Sequence, residues 1–117
     1  MTLNEIAGRL RLRNLTPEIS EDASVEVAHG HASDLLSDVL ANAPSGGVLV
    51  TIQAHMNVIA VSVNAGVRAI IFTSGRIPDE PVRTKAIEEK MVLYATEDST
   101  FNIVGRLYAL GLRGRQG

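Results

Sequence analysis

Apolar residues recur along this chain in two rhythms. Residues 48–52, 67–72 and 91–95 are almost continuously apolar. Short runs of that kind are expected of strands covered on both faces, since a half-exposed strand alternates. Elsewhere the spacing is helical. Leu3, Ile6, Ala7 and Leu10 share one face, as do Leu35, Leu36, Val39 and Leu40, and again Phe101, Val104, Leu107, Tyr108 and Leu110.

Polar residues punctuate these runs. Thr2 and Glu5 have capping-box spacing and predict a helix over 3–10. Residues 12–15 read as a short strand, stopped at Thr16-Pro17, with polar loop over 18–24. Val25 and Val27 alternate with Glu26 and Ala28, which predicts a strand over 25–29. Ser33 is placed to cap a helix over 34–42, with Asp34 at its positive end. Pro44-Ser45-Gly46-Gly47 marks a turn. Between the first two apolar runs, 56–65 reads as a buried crossover helix stopped by Gly66, although Val58, Ile59, Val61 and Val63 would tolerate a strand. Asp79-Glu80-Pro81 opens a helical segment over 79–90, and 99–110 is a last helix with Gly111 just past its end.

Strand, crossover, strand, helix, strand, helix is the order of an α/β fold. It predicts a mostly parallel sheet, right-handed βαβ crossovers and helices on both faces. Residues 1–117 read as one compact domain. A leading helix and segment fill 1–24, and 113–117 reads as a flexible tail.

Composition removes several classes of function. The hydrophobic residues are nearly all aliphatic, with two Phe, two Tyr, no Trp and no Cys. That excludes disulfides, thiolate metal sites and a cysteine nucleophile. It also leaves hardly a stacking platform for single-stranded nucleic acid. Eleven basic against thirteen acidic residues give a net charge of −2, without the basic field of a general nucleic-acid binder. Arg9, Arg11 and Arg13 alternate, which on an extended segment sets them along one side, as a solvated strand edge or an anion patch. The first ten residues lack the apolar core of a signal peptide, and polar residues interrupt every long apolar stretch. The expectation is a cytoplasmic protein with no membrane partner.

No phosphate-loop, dinucleotide-fold, nucleophile-elbow or zinc-protease motif is present. His29-Gly30-His31 has the spacing of a metal-ligand pair but no matched third and fourth ligand, so it reads as ordinary histidines. The loops after the three apolar runs carry more. They hold Gln53, His55 and Asn57, then Thr73, Ser74, Gly75 and Arg76, then residues 96–100. In an open parallel sheet such loops converge at the strands' carboxyl ends, where ligands sit. The seven named residues are the candidate ligand-binding set. The same side chains would also serve as caps and turn formers.

At these loops the chain resembles the DRTGG domain family. The resemblance rests on the strand–loop–helix over 48–63, on Ala69-Ile70-Ile71-Phe72-Thr73-Ser74-Gly75, on Pro78, and on Ser99-Thr100-Phe101. It spans residues 34–110. Asp34-Leu35-Leu36-Ser37-Asp38-Val39 and Gln53-Ala54-His55-Met56-Asn57-Val58 are similar to a subgroup of small stand-alone members. The name-giving motif departs: the Asp-Arg pair falls on Ala54 and His55, and Thr-Gly-Gly on Thr73, Ser74 and Gly75. The resemblance implies a fold like the N-terminal domain of HPr kinase/phosphorylase and an accessory role of the kind found beside CBS domains. It also implies a homodimer and no kinase activity, which resides in a separate P-loop domain.

Together these readings predict a non-catalytic regulatory module that senses a small anionic or nucleotide-like ligand. The alternative is an interaction subunit docking on itself or on a larger enzyme. An enzyme would need His55 beside a hydroxyl or carboxylate. No metal or cofactor is expected.

Overall fold

The computed structural model describes residues 1–20 and 25–116. Residues 21–24 of the expected polar loop, and residue 117 of the expected tail, lie outside the described residues. Thr2 and Glu5 form the capping box: the Thr2 hydroxyl accepts from Glu5 N at 3.2 Å, and Glu5 Oε1 accepts from Thr2 N at 3.2 Å. They start α1, Leu3–Leu10, which ends at Arg11 in the left-handed conformation with φ 54°. Strand β1, Arg13–Asn14, follows at once. Arg9, Arg11 and Arg13 therefore do not alternate along one extended segment, because they occupy a helix, its cap and a strand.

The next strand is β2, Gly30–Ala32, rather than residues 25–29. The backbone before it is otherwise engaged: Val27 N donates to Met1 O at 2.7 Å, and Ala28 O accepts from Arg113 N at 3.0 Å. Helix α2 is Leu36–Asn42, two residues shorter than expected, with Leu35 at its N-cap and no side-chain cap. Ser33 instead accepts from Leu35 N at 3.2 Å. Asp34 leaves the helix altogether and accepts from Thr51 Oγ1 at 2.8 Å and Ile52 N at 2.9 Å. It fastens one strand-end loop to the next.

The remainder alternates: β3 Val48–Thr51, α3 Asn57–Ala65, β4 Ala69–Phe72, α4 Glu80–Glu88, β5 Val92–Ala95 and α5 Thr100–Ala109. Gly66 ends α3 at φ 76°, Asp79 caps α4 through Val82 N, and Ser99 caps α5 through Asn102 N.

The sheet order is β1-β5-β4-β3-β2. Strands β2 to β5 are parallel, and β1 runs antiparallel on β5 with Arg13 opposite Ala95. Each parallel strand lies beside its predecessor, so crossovers of one hand place α2, α3 and α4 on the same face. There Val39, Val58, Ile59, Val82 and Ala86 pack on Leu49, Ile70, Phe72 and Leu93. On the other face Leu3, Ile6 and Leu10 of α1, with Ile103 and Leu107 of α5, cover Val50, Ala69, Ile71 and Tyr94. Every residue of β3, β4 and β5 is buried. Truncating one such aliphatic side chain to Ala typically costs about 2–5 kcal/mol. No helix among the described residues is long and apolar enough to cross a membrane.

A side-chain hydrogen bond joins the edge strand to its helix. His31 Nε2 of β2 lies 2.8 Å from Asp38 Oδ2 of α2, and Asn42 Nδ2 donates to Asp38 Oδ1 at 2.8 Å. Asn42 first, then His31 and Ser33, hold the Asp38 carboxyl down at about 2, below its ordinary 3.8. A carboxyl lowered on folding contributes its full stability above the unfolded pKa, and that contribution is lost as pH falls through the folded one. In urea titrations the wild type is expected to lose more stability than Asp38→Asn between about pH 5 and about pH 2. Parallel losses would remove the link.

Candidate functional site

The carboxyl ends of β3, β4 and β5 run out into hydroxyl-bearing residues. Thr51 and Thr73 are fully buried. At that depth each hydroxyl needs a partner, since an unpaired one costs about 1–3 kcal/mol. Thr51 Oγ1 donates to Asp34 and accepts from Gln53 N at 3.0 Å. Thr73 Oγ1 pairs with Thr100 Oγ1 at 2.6 Å, and Thr96 Oγ1 accepts from Asp98 N at 3.1 Å. The strand ends are thus stitched side to side.

The turn after β4 is bound to the loop after β5. Ser74 N donates to Asp98 O at 2.8 Å and Gly75 N to Thr96 O at 3.0 Å. Both residues have positive φ, 57° for Ser74 and 74° for Gly75. That backbone favours glycine at 75. A Cβ there would stand 2.7 Å from Glu97 Oε2, so the Glu97 carboxylate lies directly against the Gly75 backbone. Asp98 holds the start of α5, accepting from Ser99 N and Asn102 Nδ2, both at 2.9 Å. The Asn102 contact first, then the Ser99 amide, lowers its pKa.

Of the seven candidate residues, the structure therefore gathers Thr73, Ser74 and Gly75 onto the β5–α5 loop. Arg76 is exposed beside them, with its amide bonded to Thr73 O at 3.1 Å. Gln53, His55 and Asn57 lie on the β3–α3 connection. Gln53 is half-buried, and His55 and Asn57 are exposed. His55 contributes its carbonyl to Val58 N at 3.0 Å.

A cleft of about 320 Å³ opens beside Gly75, lined also by Arg11, Arg13, Ile77, Ala95, Thr96 and Glu97. Only Gly75 of the seven borders it. The two arginines arrive because β1 pairs with β5, which brings the end of α1 to the end of the sheet. Next to the cleft, Arg83 is neutralised by Glu18 at 2.8 Å and Glu80 at 3.1 Å. Arg11 and Arg13 have no such partner among the described residues. The sequence carried their alternation as a possible anion patch but not the antiparallel pairing that aims them here.

A second hollow, about 220 Å³, lies between β2 and α5 and is lined by Val50, Leu107, Leu112, Tyr108 and Arg113 among others. Arg113 stacks over the Tyr108 ring, 3.6 Å from its centroid. His29 and His31 are separated in role: His29 Nδ1 lies 3.3 Å from Arg113 O, and His31 is on Asp38. No group of three His, Asp or Glu among the described residues is placed to hold a metal ion.

No protein-family model matches the chain, and no curated protein sequence matches it. Among solved structures it is similar to the CBS and DRTGG domains of the regulatory region of Clostridium perfringens pyrophosphatase, determined with its activator diadenosine tetraphosphate. The TM-score is 0.75 at 15% sequence identity, over 95% of this chain and 47% of that one. The chain thus spans less than half of that structure. The likeness establishes the α/β architecture and supports a DRTGG-related fold.

Gly75→Ala is expected to destabilise the protein by about 1–2 kcal/mol from the left-handed backbone alone, with a further loss from the Glu97 contact. Placing the substitution in a Glu97→Ala background should recover that further part, read from urea midpoints. Strict additivity of the two would dismiss the contact.

Proposed function

We propose that this protein is a non-catalytic regulatory module that senses a small anionic ligand at the strand-end cleft. The observation that carries this reading is the pair Arg11 and Arg13, two guanidinium groups without partners bordering a cleft of about 320 Å³. Guanidinium is the side chain best matched to phosphate and carboxylate, and two of them without ion-pair partners draw an anion to their side of the cleft. Gly75, having no side chain, lets the Glu97 carboxylate lie against its backbone at the rim of the cleft. In this reading Thr73 and Ser74 fix the turn, and Arg76, next in the chain, adds to the positive field. Gln53, His55 and Asn57 form the far part of the same strand-end edge.

One further point supports a sensing role. The pyrophosphatase of similar fold carries its domains in a regulatory region, and its activator is a polyphosphate anion. A thermal-shift screen tests the reading, because a ligand that binds the native state alone raises apparent stability. Orthophosphate, pyrophosphate and nucleotides should raise the midpoint for wild type, and the Arg11→Ala/Arg13→Ala double variant should lose the shift. Equal shifts in both proteins would move the site elsewhere.

A second reading rests on α5. Phe101 is 86% exposed, and Val104 and Tyr108 stand on the same outward helical face. Apolar side chains grouped this way mark an interaction surface, here proposed for a second copy of the chain. Light scattering across a concentration series should give a dimer for wild type and a monomer for Phe101→Asp. A wild-type monomer throughout the series removes this reading.

A further inference from the structure

The cleft has three charged walls, and the third sets what kind of anion it accepts. Glu97 faces it together with Arg11 and Arg13. Among the described residues none of the three side chains makes a hydrogen bond or an ion pair. The two guanidinium groups are therefore held beyond ion-pair distance of the carboxylate, across a space they share. Other charged groups of the chain do pair. Arg83 takes both Glu18 and Glu80, and Lys85 takes Glu89 at 3.2 Å.

Glu97 is an exposed side chain placed by the loop it stands on. It follows β5 immediately after Thr96, and its carboxylate rests on the Gly75 backbone, where any larger residue would displace it. Gly75 in turn is fixed through its amide to Thr96 O. An ionised carboxylate only accepts hydrogen bonds, so its partner in the cleft must donate. A simple anion such as orthophosphate satisfies the arginines and meets repulsion at Glu97. A molecule that satisfies all three walls has an anionic group at one end and paired donors at the other.

We propose that the cleft takes a phosphate monoester carrying a vicinal diol, with the phosphate on Arg11 and Arg13 and the diol donating to Glu97. A phosphate monoester carries about −1.5 to −2 charges at neutral pH and pairs bidentately with guanidinium. Two adjacent hydroxyls match the two oxygens of one carboxylate. Ile77, half exposed at the rim, offers an apolar surface to the remainder of the ligand. The ribose 5-phosphate unit has this pattern, whether as the free sugar phosphate or within a nucleotide. The inference rests on the anion-sensing reading above and sharpens it.

Titration calorimetry on the whole chain separates the two. The probes are ribose 5-phosphate and AMP, their 2-deoxy counterparts, orthophosphate and phosphoethanolamine. The ribose forms should bind about tenfold more tightly than the deoxy forms, the worth of one charge-assisted hydrogen bond. Glu97→Ala should abolish that preference while orthophosphate binds it at least as well as wild type. With the ribose preference in place, AMP binding more tightly than ribose 5-phosphate would place a base on Ile77, and the reverse would favour the free sugar phosphate. Equal affinity for ribose and deoxyribose forms, or a preference that survives Glu97→Ala, overturns the inference and leaves anion sensing in place. Tighter binding of phosphoethanolamine than of ribose 5-phosphate assigns Glu97 to an ammonium and also overturns it. No binding of any phosphate probe overturns both.

Discussion

Strands β3, β4 and β5 are sealed between two apolar layers, and their backbone groups can be satisfied only by one another. Where each strand leaves the layers, pairing must pass from the ladder to something else. Thr51, Thr73 and Thr96 stand at those points, and their hydroxyls take over the bonding that water cannot supply. The rest of the arrangement follows from that handover. Asp34 is drawn away from its helix to serve Thr51, α5 is tied to β4 through Thr100, and the β4 turn is laid on the loop after β5. The polar edge is first a solution to burial, and the cleft lies along it.

Much of the fold was legible because burial on both faces leaves a plain mark. The apolar runs at β3, β4 and β5 can sit only in a covered sheet, and Gly66, Asp79, Ser99 and Gly111 delimit the helices by chemistry that needs no tertiary context. Edge elements lack that mark. β2 is Gly30-His31-Ala32, half exposed and without apolar character, whereas Val25 and Val27 imitate a strand. Val27 is buried because it reaches the core beside α1, so its alternation reported burial rather than pairing. Asp34 has every local credential of a first-turn acid; nothing in the sequence says that Thr51 is near.

The candidate site divides in the same way. That the loops after the strands would meet was a consequence of parallel topology, and Thr73, Ser74 and Gly75 do meet the loop after β5. The arginines of the cleft come from the other end of the chain. Their position depends on a two-residue strand running antiparallel to its neighbour, and neither the direction nor the neighbour of so short a strand is encoded in its own residues. Glu97 was hidden for a different reason. A lone acid after a strand is unremarkable until the glycine it rests on is seen opposite.

The pairing of Arg13 with Ala95 has a consequence in time as well as in space. β2 through β5 join in chain order, each closing a short loop around one helix, so these contacts are local and quickly formed. β1 joins β5 across almost the whole chain, which makes its closure the most expensive in entropy of any in the sheet. It is also a short edge contact, and contacts of that kind open before the core does. The walls of the cleft therefore come together only in the completed fold, with Arg11 and Arg13 on one side of that seam and Gly75 and Glu97 on the other. Anything that bridges them clasps the first strand to the last, and so holds shut the part of the molecule that would otherwise loosen first.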